Sequence, residues 1–395
     1  MQELQTENEE KFVEFLGRGK SPYDYEKRLL EENWERVFAV LNGINIPPYE
    51  LEIQPSSNCD AHCNFCFARN SQRLENKLDD PKAMETVCEE IDKLDKFGKE
   101  RTGFGIDTIK FCGSTGEPFT NPYTLDAIDF FKKRGKKVRA FTNGLKISRN
   151  LNKPEYIETL GNLDSLNISL DAGSTKTFWK IKPGARKKRI DLEDVLAIVP
   201  KLKRHGGPHI AISYVITKDN YHEISLATKK AKYAGADLIR FRINMTDRNV
   251  SEEHGEEIVE QLDKAEQEEE DDFKVIRIHS DDEVKETKQE RFSSKGKYKC
   301  FTSRFWACVG ANGKVYPCGH VAVNGTRNYG SLLEDPFLYV ASSNRRERTI
   351  NELPGKNCYT CSPFSIRTNE FMSFLSTIPQ DELKYLIKKY ITNGK

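Results

Sequence analysis

Cys59-Asp60-Ala61-His62-Cys63-Asn64-Phe65-Cys66 carries three cysteines at a Cys-x3-Cys-x2-Cys spacing. The alternating run Tyr49-Glu50-Leu51-Glu52-Ile53 precedes it and predicts a short β-strand. A loop at the end of a strand can wrap three thiolates around one metal centre. Three ligands are one fewer than the four that close a structural zinc site or a common iron–sulfur cluster, so one coordination position stays open. The alternatives are a zinc loop that takes its fourth ligand from elsewhere, or three buried, reduced cysteines.

Strand and helix patterns alternate between residue 49 and about residue 244. Strands are predicted at Leu51–Gln54, Thr108–Cys112, Val138–Thr142, Leu166–Leu170, Ile210–Ile216 and Leu238–Ile243. Helices are predicted at Pro81–Phe97, Leu125–Lys133, Pro154–Leu160, Leu192–His205 and Ile224–Tyr233. Such repeats imply an α/β fold with parallel strands and right-handed crossovers, in which ligands bind at the carboxyl ends of the strands. Spacing alone does not separate a partial barrel from a doubly wound sheet.

Composition limits the classes of protein to which the chain can belong. Its 395 residues fit one barrel-sized unit plus a smaller appendage, and a hydrophobic fraction of 37% supports a sizeable core. The net charge of +1 argues against a general nucleic-acid-binding surface. The start of the chain lacks a secretion signal and no apolar run is long enough to cross a bilayer, so we expect a cytoplasmic protein without a membrane partner. In that reducing compartment the ten cysteines are better explained as metal ligands or buried thiols than as disulfides.

The three-cysteine spacing, with Phe65 just before the last cysteine, resembles the signature of the radical S-adenosylmethionine (SAM) superfamily. In that family the three cysteines bind a 4Fe–4S cluster, and the amino and carboxylate groups of SAM chelate the open iron. The resemblance implies that Cys59, Cys63 and Cys66 are the cluster ligands and that Phe65 lies beside the cofactor. It also implies a partial (β/α)6 TIM-like barrel over residues 49–280.

Three further segments at predicted strand ends resemble the SAM contacts of the family. Gly113-Ser114-Thr115-Gly116-Glu117-Pro118 is similar to the Gly-Gly-Glu-Pro motif that binds the SAM amino group, although two residues interrupt the glycine pair. Thr142-Asn143-Gly144 is a tripeptide common at its position, and Ser169-Leu170-Asp171-Ala172 resembles the segment that contacts the ribose and the carboxylate. Lys182 stands where relatives often place an arginine for the SAM carboxylate, and it supplies a point charge instead of a fork. Ordinary loops with Glu-Pro and Asn-Gly turns are the alternative interpretation.

A second group of cysteines follows the polar, Lys-rich residues 281–299. A hairpin is predicted from Trp306–Val309 to Lys314–Tyr316 around Asn312-Gly313. The four cysteines that flank this hairpin or follow it, enough to close a tetrahedral or cubane centre, are Cys300, Cys318, Cys358 and Cys361. The arrangement looks like a Twitch domain, the single-cluster relative of the SPASM domain. It implies a second, auxiliary 4Fe–4S cluster in a C-terminal α+β domain over residues 281–395, with a zinc ribbon as the alternative.

The other segments are interpreted more simply. Residues 1–48 are predicted to be a helical lead-in packed on the next domain, and residues 251–272 a surface helix that leads into a charged linker. Ile366–Ile378 and Glu382–Ile391 are predicted helices that cap the auxiliary domain. Three cysteines are interpreted as buried thiols, namely Cys88, Cys112 and Cys308. The basic run Ala185-Arg186-Lys187-Lys188-Arg189 is interpreted as a solvated surface.

The resemblance implies an enzyme that cleaves SAM reductively to methionine and a 5′-deoxyadenosyl radical, which abstracts hydrogen from a substrate. An auxiliary cluster with four protein ligands would accept an electron, which makes the net reaction an oxidation, and a flavodoxin or ferredoxin would donate the first electron. We expect a small polar metabolite of natural-product or cofactor biosynthesis as the substrate, oxidised or rearranged. The alternatives are a peptide maturase that cross-links or epimerises a ribosomal peptide, and a non-catalytic zinc-binding interaction protein. The sequence identifies no general base.

Overall fold

A mostly parallel sheet forms the centre of the computed structural model. The structure describes residues 6–17, 25–69, 71, 73–114, 116–204, 206–244, 249–285, 298–354, 358, 361 and 363–392. The strands are β1 (Glu50–Ile53), β2 (Thr108–Phe111), β3 (Lys137–Thr142), β4 (Ser165–Ser169), β5 (His209–Ile216), β6 (Leu238–Ile243), β7 (Lys274–Arg277), β8 (Trp306–Val309), β9 (Lys314–Tyr316) and β10 (Gly330–Ser331). Their order in the sheet is β10-β9-β8-β1-β2-β3-β4-β5-β6-β7. The strands from β8 through β1 to β7 run parallel to one another. Strand β9 runs antiparallel to both of its neighbours, β8 and β10.

Helices connect the strands and extend both ends of the described chain. They are α1 (Glu7–Gly17), α2 (Tyr25–Leu41), α3 (Pro81–Thr102), α4 (Thr124–Lys132), α5 (Leu145–Ser148), α6 (Pro154–Gly161), α7 (Thr175–Ile181), α8 (Pro183–Lys188), α9 (Leu192–Leu196), α10 (Ile198–Lys203), α11 (Ile224–Tyr233), α12 (Asn249–Glu266), α13 (Asp281–Lys285), α14 (Thr302–Phe305), α15 (Gly319–Asn324), α16 (Phe337–Ser342), α17 (Asn344–Asn351), α18 (Pro363–Leu375) and α19 (Gln380–Ile387). None of the helices in the described part of the chain is long and apolar enough to cross a membrane.

The six predicted strands are confirmed as β1 to β6, with each end within one residue of its predicted position. Buried and half-exposed residues alternate along β3 and β5. The buried set faces the surrounding helices, as where Phe111 of β2 packs on Phe131 of α4 with ring centroids 6.3 Å apart. The other set mixes polar and apolar residues and faces the inside of the curved sheet, here called the lumen. The strands therefore alternate more clearly than expected, because only one face is covered by helices.

The helix predicted over Leu192–His205 is divided into α9 and α10. Pro200 lacks the N–H that would bond the carbonyl of Leu196, which explains the break. Asp191 caps the start of α9, since it accepts a hydrogen bond from the Asp194 amide at 2.9 Å. His205 lies outside the described residues.

Helix α12 confirms the predicted acidic surface helix, and the charged residues 267–272 that follow it belong to neither a helix nor a strand. The next segment was not predicted: Lys274–Arg277 form β7, which pairs in parallel with β6. Phe273, Val275 and Ile276 are buried, and this short apolar run is enough to add a strand to an open sheet edge. Of the polar segment that follows, residues 281–285 form α13, and residues 286–297 lie outside the described part.

The predicted hairpin is confirmed as β8 and β9, with Gly313 in the left-handed region at its turn (φ 72°). Strand β8 pairs in parallel with β1, and Cys308 stands opposite Glu52. The C-terminal unit therefore continues the sheet of the barrel. This pairing joins segments about 250 residues apart, which no local pattern in the sequence indicates.

The two ends of the described chain pack on each other. Phe12 and Phe15 contact Phe371, with ring centroids 6.3 and 5.3 Å apart, in an apolar cluster built by α1, α2, α18 and α19. Glu9 accepts hydrogen bonds from Lys389 at 2.7 Å and Tyr390 at 2.6 Å. The N-terminal segment, predicted to be helical, forms α1 and α2. The terminal helices, predicted to cap the auxiliary domain, pack mainly on this lead-in.

Candidate functional site

The three-cysteine loop follows the carboxyl end of β1. Burial raises the pKa of the Cys63 thiol, and the neighbouring sulfurs of Cys59 and Cys66 raise it further, so both of these sulfurs lie within electrostatic reach of Cys63. Cys59 and Cys63 are half-buried, as is Phe65, and Cys66 is exposed. Thiols in such a place ionise readily only when a cation offsets their charge, and a bound metal supplies that offset.

Polar contacts from two neighbouring elements hold this loop. The Asp60 carboxylate accepts hydrogen bonds from Asn143 Nδ2 at 2.9 Å and Lys188 Nζ at 2.7 Å. Asn143 Nδ2 also lies 3.7 Å from the sulfur of Cys59. Helix α8 lies directly against the loop, because the Gly184 amide donates to the Ala61 carbonyl at 2.9 Å. The basic run on α8 is thus partly a contact of the loop, and Lys188 is not simply solvated.

The glycine loop after β2 packs against the segment that leads into the three cysteines. A Cβ on Gly116 would lie 2.1 Å from the Ser56 carbonyl oxygen, so only glycine permits this approach. The Glu117 amide donates to the Asn58 carbonyl at 2.7 Å. Ser114 lies beside α15, since a Cβ on Gly319 would lie 2.5 Å from its hydroxyl. Thr115 lies outside the described residues.

The Glu117 carboxylate is bound within the protein. It accepts hydrogen bonds from Thr142 Oγ1 at 2.6 Å and from the Asn143 amide at 2.8 Å. Burial raises its pKa to about 7, although these hydrogen bonds favour the ionised form. The carboxylate therefore ties the glycine loop to the end of β3. The carbonyls of the loop are the groups left to meet a ligand ammonium.

Asp171 and Lys182 form a buried ion pair below the cysteine loop. Lys182 Nζ lies 2.8 Å from Asp171 Oδ2 and has no exposed surface. It also donates to the carbonyls of Leu170, at 2.9 Å, and Ser169. Asp171 takes a left-handed conformation (φ 61°), and its Oδ1 accepts from the Val215 amide at 2.9 Å. The ammonium of Lys182 is enclosed by these partners, which does not favour its predicted pairing with the SAM carboxylate.

The site predicted from the sequence does not include a group of charged side chains that the structure places in the lumen. Lys110 Nζ lies 3.1 Å from Glu50 and 2.9 Å from Glu52, and Arg139 lies 3.8 Å from Glu50. Burial opposes the ionisation of Glu52, but Lys110, Gln54 and Cys112 lower its pKa to about 2. The signal in the sequence is the period of two: Glu50 and Glu52 alternate with buried leucine and isoleucine.

The two arginines of β6 face the lumen, which the sequence leaves undecided. Arg240 Nε donates to Ser213 Oγ at 2.8 Å, and its guanidinium lies 5.2 Å from the centre of the Phe141 ring. Arg242 is half-buried. Burial lowers its pKa, and the negative charge of Asp171 opposes this effect and raises it. Within the described residues Arg242 has neither a hydrogen bond nor an ion pair. Its charge is available to a ligand.

The second cysteine group also comes together. Cys318 is exposed, but the protein atoms around its sulfur desolvate the thiolate and raise the pKa of Cys318, and the sulfurs of Cys300, Cys361 and Cys358 raise it further. All four predicted auxiliary residues therefore lie within electrostatic reach of one sulfur. Cys300 Sγ lies 3.2 Å from Thr302 Oγ1.

The remaining cysteines are placed as follows. Cys88 and Cys308 are buried, as expected. Cys112 differs from its prediction, because it lies just after β2 and is half-buried at the lumen, where it bonds the Glu52 carboxylate. Among the described residues, no three His, Cys, Asp or Glu side chains are grouped as ligands of a single metal ion. A 4Fe–4S cluster binds each thiolate through a different iron, so its cysteines lie around a larger object.

A groove of about 940 Å³ lies at the opposite, amino edge of the sheet, away from both cysteine groups. Its charges are matched internally: Lys203 lies 2.6 Å from Asp237, and Lys232 lies 2.6 Å from Glu270. It contributes nothing to the site described here.

Comparisons with known proteins match about half of the chain in sequence and most of it in fold. Residues 53–231 match the family model of the Radical SAM superfamily. A curated relative is the tungsten-containing aldehyde ferredoxin oxidoreductase cofactor-modifying protein of Pyrococcus furiosus, 24% identical over 196 residues, which are 48% of this chain and 49% of that protein. The chain thus matches about half the length of this relative.

Solved structures show the same fold. SuiB of Streptococcus suis bound to the precursor peptide SuiA matches with a TM-score of 0.56 and 18% identity, over 85% of this chain and 74% of SuiB. The anSMEcpe protein with bound AdoMet matches with a TM-score of 0.51 and 13% identity, over 86% of this chain and 100% of anSMEcpe. At these identities the likeness concerns the fold, and it confirms the TIM-like partial barrel expected from the sequence.

Proposed function

We propose that residues 53–231, which match the radical SAM family model, form a radical SAM domain, and that the chain is an enzyme that cleaves SAM reductively and abstracts hydrogen from a polar substrate. The observation that carries the proposal is the three-cysteine loop at the carboxyl edge of the sheet, where the sulfurs of Cys59 and Cys66 both act on that of Cys63. The match to the superfamily implies a 4Fe–4S cluster and SAM as cofactors. When bound, they supply the one-electron cleavage of the sulfonium bond and the 5′-deoxyadenosyl radical.

The residues present fit these cofactors. Cys59, Cys63 and Cys66 would hold the cluster. Burial raises the pKa of the Cys59 and Cys63 thiols, so a bound cation would favour their ionised form. Ser57 Oγ is buried and has no hydrogen-bond partner in the described part of the chain. It lies where the glycine loop meets the cysteine segment, so a polar ligand there would satisfy it.

Arg242 is the better candidate to bind the SAM carboxylate than Lys182. Asp171 attracts Arg242 and also acts on Cys63, so the guanidinium and the cysteine loop border the same ion pair. Lys182 already neutralises Asp171 at 2.8 Å. An arginine also offers the carboxylate two parallel hydrogen bonds. This chain would therefore replace the usual arginine of the fourth-strand region by one from β6.

The second cysteine group would hold an auxiliary 4Fe–4S cluster bound by Cys300, Cys318, Cys358 and Cys361. Four protein ligands leave no iron open to a substrate. The role that remains for such a centre is to accept one electron, which makes the net reaction an oxidation. A flavodoxin or ferredoxin would supply the electron that starts each turnover.

A small polar metabolite is the proposed substrate. The lumen carries the charges of Glu50, Glu52, Lys110, Arg139 and Arg240, which suit a polar molecule. The name of the Pyrococcus relative describes a cofactor-modifying protein, which agrees with a small-molecule substrate. A peptide is the second candidate, because the matching structure of SuiB contains a precursor peptide.

The test is anaerobic incubation of the full chain, after cluster reconstitution, with dithionite and SAM. We expect a brown protein that forms 5′-deoxyadenosine, and deuterium in that product when a deuterated substrate is supplied. A colourless, zinc-loaded protein without 5′-deoxyadenosine would overturn the proposal in favour of a zinc-binding interaction protein. Separate trials with polar metabolites and with peptides decide between the two substrate classes.

A further inference from the structure

The hydroxyl of Tyr329 is buried, and none of the described residues forms a hydrogen bond with it. The residue is 3% exposed. A tyrosine hydroxyl inside a protein normally finds a partner, and leaving one unsatisfied costs about 1–3 kcal/mol. Within the described part of the chain, this hydroxyl therefore has a hydrogen bond left to donate to a bound group.

Tyr329 is positioned beside the second cysteine group. Its amide donates to the Val315 carbonyl at 2.7 Å, which ties it to β9, the strand that leads directly to Cys318. Burial raises the pKa of Tyr329, and the sulfurs of Cys300 and Cys318 raise it further. The hydroxyl therefore stays protonated and can donate a hydrogen bond. The sulfurs of these two cysteines lie within electrostatic reach of it, but neither is hydrogen-bonded to it directly.

Two guanidinium groups lie near the same ring. Arg346 is buried, lies 5.8 Å from the centre of the Tyr329 ring and donates to Glu347 at 3.2 Å. Arg304 forms two hydrogen bonds to Glu347, both 2.9 Å long. Arg346 and Arg304 thus pair with the same carboxylate, and the positive charge of each lowers the pKa of Tyr329. The surroundings of the ring carry an excess of positive charge.

We propose that the Tyr329 hydroxyl donates a hydrogen bond to a sulfur of the auxiliary centre held by Cys300 and Cys318, and that this bond, with the charge of Arg346, raises the reduction potential of the centre. The inference rests on the auxiliary cluster of the proposed function. Reduction adds negative charge to the cluster and its sulfurs, so a donated hydrogen bond and a nearby cation stabilise the reduced form more than the oxidised form. Tyr329 is therefore a positioning residue that makes this centre an electron acceptor.

The experiment is a reductive titration of the full-length holoenzyme and of Tyr329→Phe, followed by electron paramagnetic resonance. The auxiliary centre is identified as the signal that SAM does not change. We expect the equilibrium constant for its reduction to fall about tenfold in Tyr329→Phe, the effect of one hydrogen bond to a charged acceptor, or about 59 mV for a one-electron couple. A coupling of the reduced centre to an exchangeable deuteron in D2O should disappear in the variant.

Tyr316→Phe is the matched control. Tyr316 is a buried tyrosine of β9, but its hydroxyl already bonds Asn312 at 3.0 Å, so its removal should leave the potential unchanged. Tyr329→Phe should keep the melting temperature of the parent when both proteins lack their clusters, because none of the described residues bonds the hydroxyl that it removes. An unchanged potential in a protein that holds both clusters would overturn this inference alone. Absence of any SAM-insensitive cluster from the parent would refute the auxiliary centre itself, and the inference with it.

Discussion

The two cysteine groups bring their sulfurs together in different ways. The first takes its three cysteines from eight consecutive residues, and a short loop is enough to keep them close. The second takes four cysteines from residues 300, 318, 358 and 361, and they meet because β8 and β9 join the sheet beside β1. The first site is therefore encoded locally and the second by the fold. The predictions below test whether this difference holds.

The largest effect is expected from replacing Cys59, Cys63 and Cys66 together with Ala. Formation of 5′-deoxyadenosine should fall below detection, because no other group in the site would hold the SAM-binding cluster. About half of the iron should remain, on the second group, since each group would bind one four-iron cluster. Product chromatography and iron analysis measure both. Cys88→Ala, which removes a buried thiol of α3, is the control and should change neither; persistent 5′-deoxyadenosine in the triple variant would contradict the site.

Replacing Cys358 and Cys361 with Ala should separate the two sites. SAM cleavage should continue, because the local loop does not depend on the second group, but substrate oxidation should be lost. The measurement compares 5′-deoxyadenosine with oxidised product in the same reaction. Full product formation would show that the second centre is dispensable for the reaction.

Arg242→Met should weaken SAM binding about tenfold to a hundredfold, the range expected for a lost charge-assisted hydrogen bond to a carboxylate. Arg242→Lys should lose less, since it keeps the charge but not the fork. Lys182→Met should instead lower the free energy of unfolding by about 3–5 kcal/mol, because Asp171 would be left buried and unpaired. Equilibrium binding and urea unfolding measure the two effects.

Arg149→Met, at an exposed position, is the control for these binding measurements. Unchanged SAM affinity in Arg242→Met, together with lost turnover, would assign Arg242 to the substrate instead.

The smallest effect concerns the frame of the local loop. A Cβ on Gly184 would lie 2.0 Å from the Asp60 carbonyl oxygen, so Gly184→Ala should move α8 off the loop at a cost of about 1–3 kcal/mol. Cluster occupancy of the first site should fall while that of the second stays. Gly161→Ala is the matched control, because a Cβ there meets nothing within 4 Å. Equal occupancy of the first site in both variants would mean that the loop needs no support from α8.

Much of this could be predicted because the informative patterns are local. The strands β1 to β6 follow from runs of β-branched and aromatic residues, and the three-cysteine spacing is read directly. The pairing of β8 with β1 could not be predicted, since it joins residues far apart in the chain. Strand β7 could not be predicted, because its apolar run is short and follows a long acidic segment.

The contacts of single side chains were the hardest part to predict. Lys182 stands at the expected distance along the sequence, but only the structure shows that its ammonium is enclosed by Asp171 and two carbonyls. That Arg242 has no hydrogen bond or ion pair among the described residues depends on every neighbour across the lumen, and no pattern in the sequence indicates it. Tyr329 gives no signal in the sequence, because an unsatisfied hydroxyl is a property of the packed interior.

The parallel pairing of β8 with β1 has a consequence for how a substrate reaches the interior. A hinge between the two units would have to break the backbone ladder that registers Glu50 on Trp306 and Ile53 on Val309, at about 0.5–1.5 kcal/mol for each bond. Strand β1, which leads into the three-cysteine loop, is thus also the strand to which the C-terminal unit is hydrogen-bonded. Both redox centres would then be attached to one continuous sheet and keep a constant separation. We therefore expect a substrate to enter the lumen by movement of loops at its rim, without any opening of the sheet.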